Sequence, residues 1–180
     1  MQRKIIIAGP CAAESKEQVE RSVDEAQKRN LWGVRISLWK PRTEPGFEGL
    51  KEKGIDLFHY AIKKGVVPAT EVMNKENLRE ILKIFPDSEI VFWIGSRNQN
   101  HFLQSEIAKE VSRNKRAFLL VKNQPWEDKK HWLGIVKHIK KTKISGEKII
   151  LCHRGFFPNK ENKEDYRNIP NYEMAMQVKN

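Results

Sequence analysis

Short apolar runs alternate with amphipathic stretches along the whole chain. Lys4-Ile-Ile-Ile-Ala-Gly9 is apolar and β-branched and closes on Gly9-Pro10, so it predicts a buried strand and a turn. Ser15 to Arg29 then places Val19, Val23 and Ala26 on one helical face, with an acidic start and a basic end that suit the helix dipole. The same couple recurs. Leu31 to Trp39 predicts a second strand, followed by a Pro-rich loop and a helix from Gly49 to Lys64. Val66 to Glu71 leads into a helix from Asn74, a favourable N-cap, to Phe85. Glu89 to Ile94 precedes a helix over Asn100 to Arg113, and Ala117 to Val121 one over Lys130 to Lys141. Lys148 to Cys152 is the sixth strand, with a last helical stretch from Pro170.

A period of about 30 residues per strand–helix unit, with near-continuous apolar strands, predicts an α/β fold with a parallel sheet and crossover helices. An open doubly wound sheet and a (β/α)8 TIM barrel, which usually needs about 250 residues, both satisfy that period. Length, the absence of Gly/Ser linkers and uniform composition predict one domain over residues 1–180. No apolar run approaches the roughly 20 residues of a membrane span. Met1-Gln-Arg-Lys4 leads into a strand rather than a signal sequence, so the expected compartment is the cytoplasm, where Cys11 and Cys152 stay reduced.

Charge narrows the partners. With 34 Lys and Arg against 23 Asp and Glu, the net charge of +11 suits anions: nucleic acid, phosphorylated metabolites or an acidic surface. Nucleic acid is the weakest of these, because the five Trp sit in strands and helix faces rather than on a basic-aromatic platform.

The chemistry collects just after the predicted strands. Cys11 and Glu14 follow the first; Lys40, Arg42 and Thr43 the second; Thr70 and Glu71 close the third; Arg97 and Asn98 follow the fourth; Lys122 and Asn123 close the fifth; His153 and Arg154 follow the sixth. In both architectures ligands bind at the carboxyl ends of the strands. Arg35, Lys40, Arg42, Arg97, Lys122 and Arg154 therefore meet on one rim, a grouping that implies a polyanionic ligand. Arg35 and Lys40 lie five residues apart, on opposite faces of a regular strand unless a bulge or the strand's end re-aims one, and a solvated basic loop fits the same stretch. Cys11 is either a soft ligand or a small core residue, His153 an acid, base, ligand or ordinary hydrogen-bond partner, and Cys152 core. Glu14 and Glu71 suit pairing with the cations. CxxC, HExxH, GxGxxG, GxxxxGK[ST] and GxSxG are all missing from the sequence.

Ala8-Gly-Pro-Cys11-Ala-Ala-Glu14-Ser15, Arg35 with Lys40-Pro-Arg-Thr43, Ala69-Thr-Glu-Val72, Trp93-Ile-Gly-Ser-Arg-Asn98 and Leu120-Val-Lys122 follow one another in an order that resembles the type I 3-deoxy-7-phosphoheptulonate (DAHP) synthase family. Val121-Lys-Asn123, Trp132-Leu-Gly134, His153-Arg-Gly-Phe156 and Tyr166-Arg-Asn-Ile-Pro170 are most similar to the subgroup often fused to chorismate mutase. The resemblance implies a (β/α)8 barrel and an aldol-type condensation of phosphoenolpyruvate with erythrose 4-phosphate in the shikimate pathway. By motif it implies that Arg35, Lys40, Arg97, Lys122 and Arg154 hold phosphoenolpyruvate, with Lys40 and Arg35 catalytic, and that Arg42 and Thr43 meet the aldose phosphate. It also implies a divalent metal of the Mn, Fe, Zn or Co class, with Cys11 as one ligand.

The family's remaining metal ligands lie in strands seven and eight, beyond Asn180. The expectation is thus a barrel domain of six of eight units, very low activity for the isolated chain, and a homo-oligomer or a completing chain as partner. A non-catalytic module that binds phosphorylated metabolites is the alternative.

Overall fold

The computed structural model describes residues 5–40, 44–158 and 168–179. Six strands alternate with six α-helices: β1 Ile7–Ala8, α1 Lys16–Lys28, β2 Gly33–Arg35, α2 Leu57–Lys63, β3 Val67–Glu71, α3 Lys75–Ile84, β4 Ile90–Ile94, α4 His101–Arg113, β5 Ala117–Lys122, α5 Lys129–Lys140, β6 Ile149–Cys152 and α6 Tyr172–Lys179. Helix starts follow the sequence because polar caps satisfy their free N–H groups. Ser15 Oγ accepts the Gln18 N–H at 3.2 Å, Asn74 Oδ1 that of Asn77 at 2.9 Å, and Asp128 Oδ1 that of His131 at 2.9 Å. Asn100 Oδ1 takes both the Phe102 and Leu103 N–H groups.

All strands are parallel and lie in the order β1-β2-β3-β4-β5-β6. A doubly wound sheet reverses its order partway. This one does not, and crossovers of a single hand then put every helix on one side of a curling sheet, which is the build of a (β/α) barrel. The tie left by the periodicity resolves toward a partial barrel of six units.

Alternate residues of the strands enter different cores. Val34, Ile90, Phe92, Ile94, Ala117, Leu119 and Val121 pack with helix residues such as Val19, Phe58, Leu78, Ile107 and Ile139. Val67, Ala69, Val91 and Trp93 form a second cluster with Ile7, Trp32, Phe118, Leu120 and Ile150, to which no helix contributes among the described residues. That face is the barrel interior, and the polar strand ends extend it.

Two expectations need correction. The second strand ends at Arg35 rather than Trp39: residues 36–39 stay buried, but beyond the Ile36 N–H the chain bonds to the Thr70 hydroxyl, the Glu48 carbonyl and loop N–H groups rather than to a neighbouring ladder. The helix expected over Gly49–Lys64 is a 3-10 turn at Lys51–Gly54 followed by α2. Gly49 and Lys51 carry φ values of +96° and +54°, outside the helical range, so regular helix does not begin at Gly49; Gly54 lies against Leu38, where a Cβ would stand 2.7 Å from Leu38 Cδ2. Among the described residues no helix is long and apolar enough to cross a membrane.

Candidate functional site

Arg35 is the last residue of β2, in register with Ala69 on the interior face, and its Nη2 donates to the Gly9 carbonyl at 3.0 Å. The chain beyond it is pinned at successive residues. Ile36 N–H donates to Ala69 O at 2.8 Å, Ser37 O accepts from Ala13 N–H at 2.9 Å, Leu38 N–H donates to Thr70 Oγ1 at 3.2 Å, and Lys40 N–H donates to Glu48 O at 2.7 Å. Lys51 N–H donates to Leu38 O at 2.9 Å, closing the loop that carries Lys40. Gly49 makes this closure possible: its φ is +96°, and a side chain there would strike the Leu38 carbonyl.

Held in this way, Lys40 donates through Nζ to Cys11 Sγ at 2.8 Å. The exposed Cys11 thiol is held below its ordinary pKa, first by that hydrogen bond and then by the charges of Lys40, Arg35 and Lys122, against an opposing effect of burial. Cys11, Arg35, Lys40 and Lys122 thus form one electrostatic group.

Lys122, at the end of β5, lies with Nζ 4.7 Å over the Trp93 ring, and burial pushes its ammonium below the usual lysine pKa. Arg154 stands near it, for both cations act on the Cys152 thiol, which burial raises. Fully buried Asn123 couples the two loops: Oδ1 accepts the Arg154 N–H at 2.8 Å, and Nδ2 donates to Gly155 O at 3.1 Å and Gln124 O at 2.7 Å. Arg154 Nη2 donates to Asn168 Oδ1 at 3.0 Å. Arg97 is exposed in the turn after β4, at the same end of the sheet. Arg42 and Thr43 lie outside the described residues.

Other candidates fall to structural roles. His153 Nε2 accepts the Asn171 N–H at 2.8 Å while its ring stacks on Trp132, so it is a hydrogen-bond partner that anchors the start of α6. Glu14 is exposed, with its N–H on Gln18 Oε1, and makes no ion pair among the described residues. Glu71 takes the Trp93 indole N–H, a partner invisible in the sequence because it depends on the β3–β4 register. Asn123 was equally hard to read as a brace, its only signal being a polar side chain directly after a strand.

Residues 2–179 match the DAHP synthetase I family. The chain belongs to that family. A phospho-2-dehydro-3-deoxyheptonate aldolase of Thermotoga maritima is 31% identical over 152 residues, covering 83% of this chain and 42% of the relative. The crystal structure of a phospho-2-dehydro-3-deoxyheptonate aldolase (DAHP synthase) from the same organism superposes with a TM-score of 0.79 at 25% identity, over 97% of this chain and 47% of that one. A truncated 3-deoxy-D-arabino-heptulosonate 7-phosphate synthase from Thermotoga maritima gives 0.75 at 25% identity, over 97% and 59%. The chain therefore spans less than half the length of the curated family member it matches. The family fold accounts for the partial barrel.

Among the described residues no three His, Cys, Asp or Glu side chains converge as a metal cluster. One thiol bordered by cations does not hold a divalent ion by itself, so the described residues do not make a complete metal site.

Proposed function

We propose that this chain carries the phosphoenolpyruvate half of a 3-deoxy-7-phosphoheptulonate synthase site, within a single barrel domain. The observation that supports this best is the joining of Arg35, Lys40 and Lys122 around Cys11, with Lys40 and Cys11 in direct contact. Like charges brought together at strand ends raise the free energy of the empty site, and a trianionic ligand offsets that cost. Arg35 and Arg154 suit two-pronged grips on phosphate and carboxylate, whereas Lys40 and Lys122 act as point charges. Arg97 joins them from the turn after β4. During condensation with erythrose 4-phosphate these cations would stabilise charge that shifts onto the departing phosphate, an electrostatic role of preorganised groups. Arg42 and Thr43 are assigned to the aldose phosphate by motif.

The family's chemistry calls for a divalent metal, to which Cys11 would contribute one ligand. That single donor favours a second reading in which the chain binds phosphorylated metabolites without turnover.

Calorimetric titration of the 180-residue chain with phosphoenolpyruvate decides whether this rim binds the ligand. Saturable heat, lost in Lys40→Met and weakened in Arg97→Ala, is the expected result; no heat of binding overturns the proposal. Phosphoenolpyruvate consumption with erythrose 4-phosphate and Mn²⁺, with and without a chelator, separates enzyme from binding module.

A further inference from the structure

Three neighbouring strands each send one polar or aromatic side chain into the barrel interior near their ends. Glu71 of β3 stands opposite Trp93 of β4 in the ladder, Trp93 opposite Leu120 of β5, and Lys122 is the next β5 residue on that face. Glu71 is 7% exposed and Trp93 5%. Glu71 Oε2 accepts the indole N–H at 2.9 Å, and the Lys122 ammonium lies 4.7 Å over the same ring. Gly95 leaves room for the other carboxylate oxygen, since a Cβ at that position would collide with Glu71 Oε1. The carboxylate is thus wedged between an indole edge and a backbone turn.

This arrangement has a clear electrostatic sense. A buried carboxylate is costly without a compensating charge, and a cation over an aromatic face is attracted by the ring's quadrupole. An anion bound to the indole N–H polarises the ring and makes its face more attractive to that cation. We propose that Glu71 and Trp93 are positioning residues that keep the Lys122 ammonium aimed and charged for an incoming anion. The proposal rests on the reading of Lys122 as a phosphoenolpyruvate contact. Burial and the charges of Arg35 and Lys40 both favour loss of the Lys122 proton, whereas Glu71 and Cys152 oppose it. Glu71 is the largest of the charges acting on this ammonium, and it is the one placed to hold the proton there.

Two measurements on the 180-residue chain test this. In the first, NMR of ¹³C-labelled lysine follows the Lys122 Cε signal through alkaline pH without any ligand. Glu71→Gln retains an oxygen for the indole N–H and removes only the charge, so Lys122 is expected to lose its proton about one pH unit lower. In the second, calorimetry with phosphoenolpyruvate is expected to show about tenfold weaker binding by Glu71→Gln at alkaline pH, with the ratio to wild type restored on acidification. Trp93→Leu, which removes the ring face, is expected to weaken binding without rescue by acid. An unchanged Lys122 titration in Glu71→Gln overturns the role of Glu71, and acid rescue of Trp93→Leu overturns that of Trp93. If Lys122→Met binds as wild type does, the reading of Lys122 as a ligand contact fails, while the titration still judges the positioning inference.

Discussion

Asn123 Oδ1 accepts the backbone N–H of Arg154 at 2.8 Å, so the loop after β6 is held by a side chain from the end of β5. The same amide donates to Gly155 O and Gln124 O, and all of it is buried. Asn123→Ala leaves these groups unpaired and is expected to cost about 3 kcal/mol, seen as a lower urea midpoint with an unchanged slope. Asn123→Asp should do no better, because its carboxylate would face two carbonyl oxygens. Loss of Arg154 placement should also weaken phosphoenolpyruvate binding in both variants.

Cys11 and Cys152 should differ in reactivity. Cys11 is exposed and its thiol is lowered, chiefly by the Lys40 hydrogen bond, whereas burial raises Cys152. Iodoacetamide at neutral pH is expected to label Cys11 first, as read by peptide mass spectrometry. Lys40→Met should slow that labelling by removing its largest cause. Equal rates at the two cysteines would show that the cationic group does not act on Cys11.

Acid should loosen the start of α6. Burial lowers the His153 pKa from its ordinary value of 6.5, so between the folded and unfolded values the unfolded chain binds more protons, and stability falls as pH drops through that window. Below the folded value the loss is complete. Protonation also removes Nε2 as acceptor for the Asn171 N–H. Melting temperatures are expected to decline below about pH 6.5, and His153→Gln, which cannot titrate, should flatten that decline. An identical acid slope in the variant would place the titration elsewhere.

Gly49→Ala tests the closure of the loop that carries Lys40. The left-handed backbone and the collision with Leu38 O should together cost at least about 2 kcal/mol. Thermal unfolding reads the loss, and faster hydrogen exchange at the Lys40 amide, bonded to Glu48 O at 2.7 Å, shows where it falls.

Much of this architecture was legible in the sequence. Apolar runs located all six strands, and Ser15, Asn74 and Asn100 marked helix starts to within a residue, because caps and burial are local signals. The end of β2 was not legible. Leu31 to Trp39 reads as one strand since apolar residues continue past Arg35, yet there the N–H partners become Thr70 Oγ1 and Glu48 O, which no local pattern announces. The close packing of Gly54 on Leu38 is likewise a contact no helix pattern encodes. At the rim, Lys122 could be placed from the sequence because it closes a strand. The partner of Glu71 could not, because an acidic residue at a strand end fits ion pairing as well as it fits the indole of the next strand, and only the register chooses between them.

The division of each strand between two cores gives the chain an interleaved grammar. In β5, Ala117, Leu119 and Val121 answer to the helices, while Phe118, Leu120 and Lys122 answer to the interior. Deleting one residue within β5 would exchange those two vocabularies, turning Lys122 toward the helices and carrying Val121 to the rim. A deletion in an exposed loop such as that around Lys141 leaves both untouched. Frame within a strand, more than the identity of any one apolar residue, is therefore what this lineage has to guard.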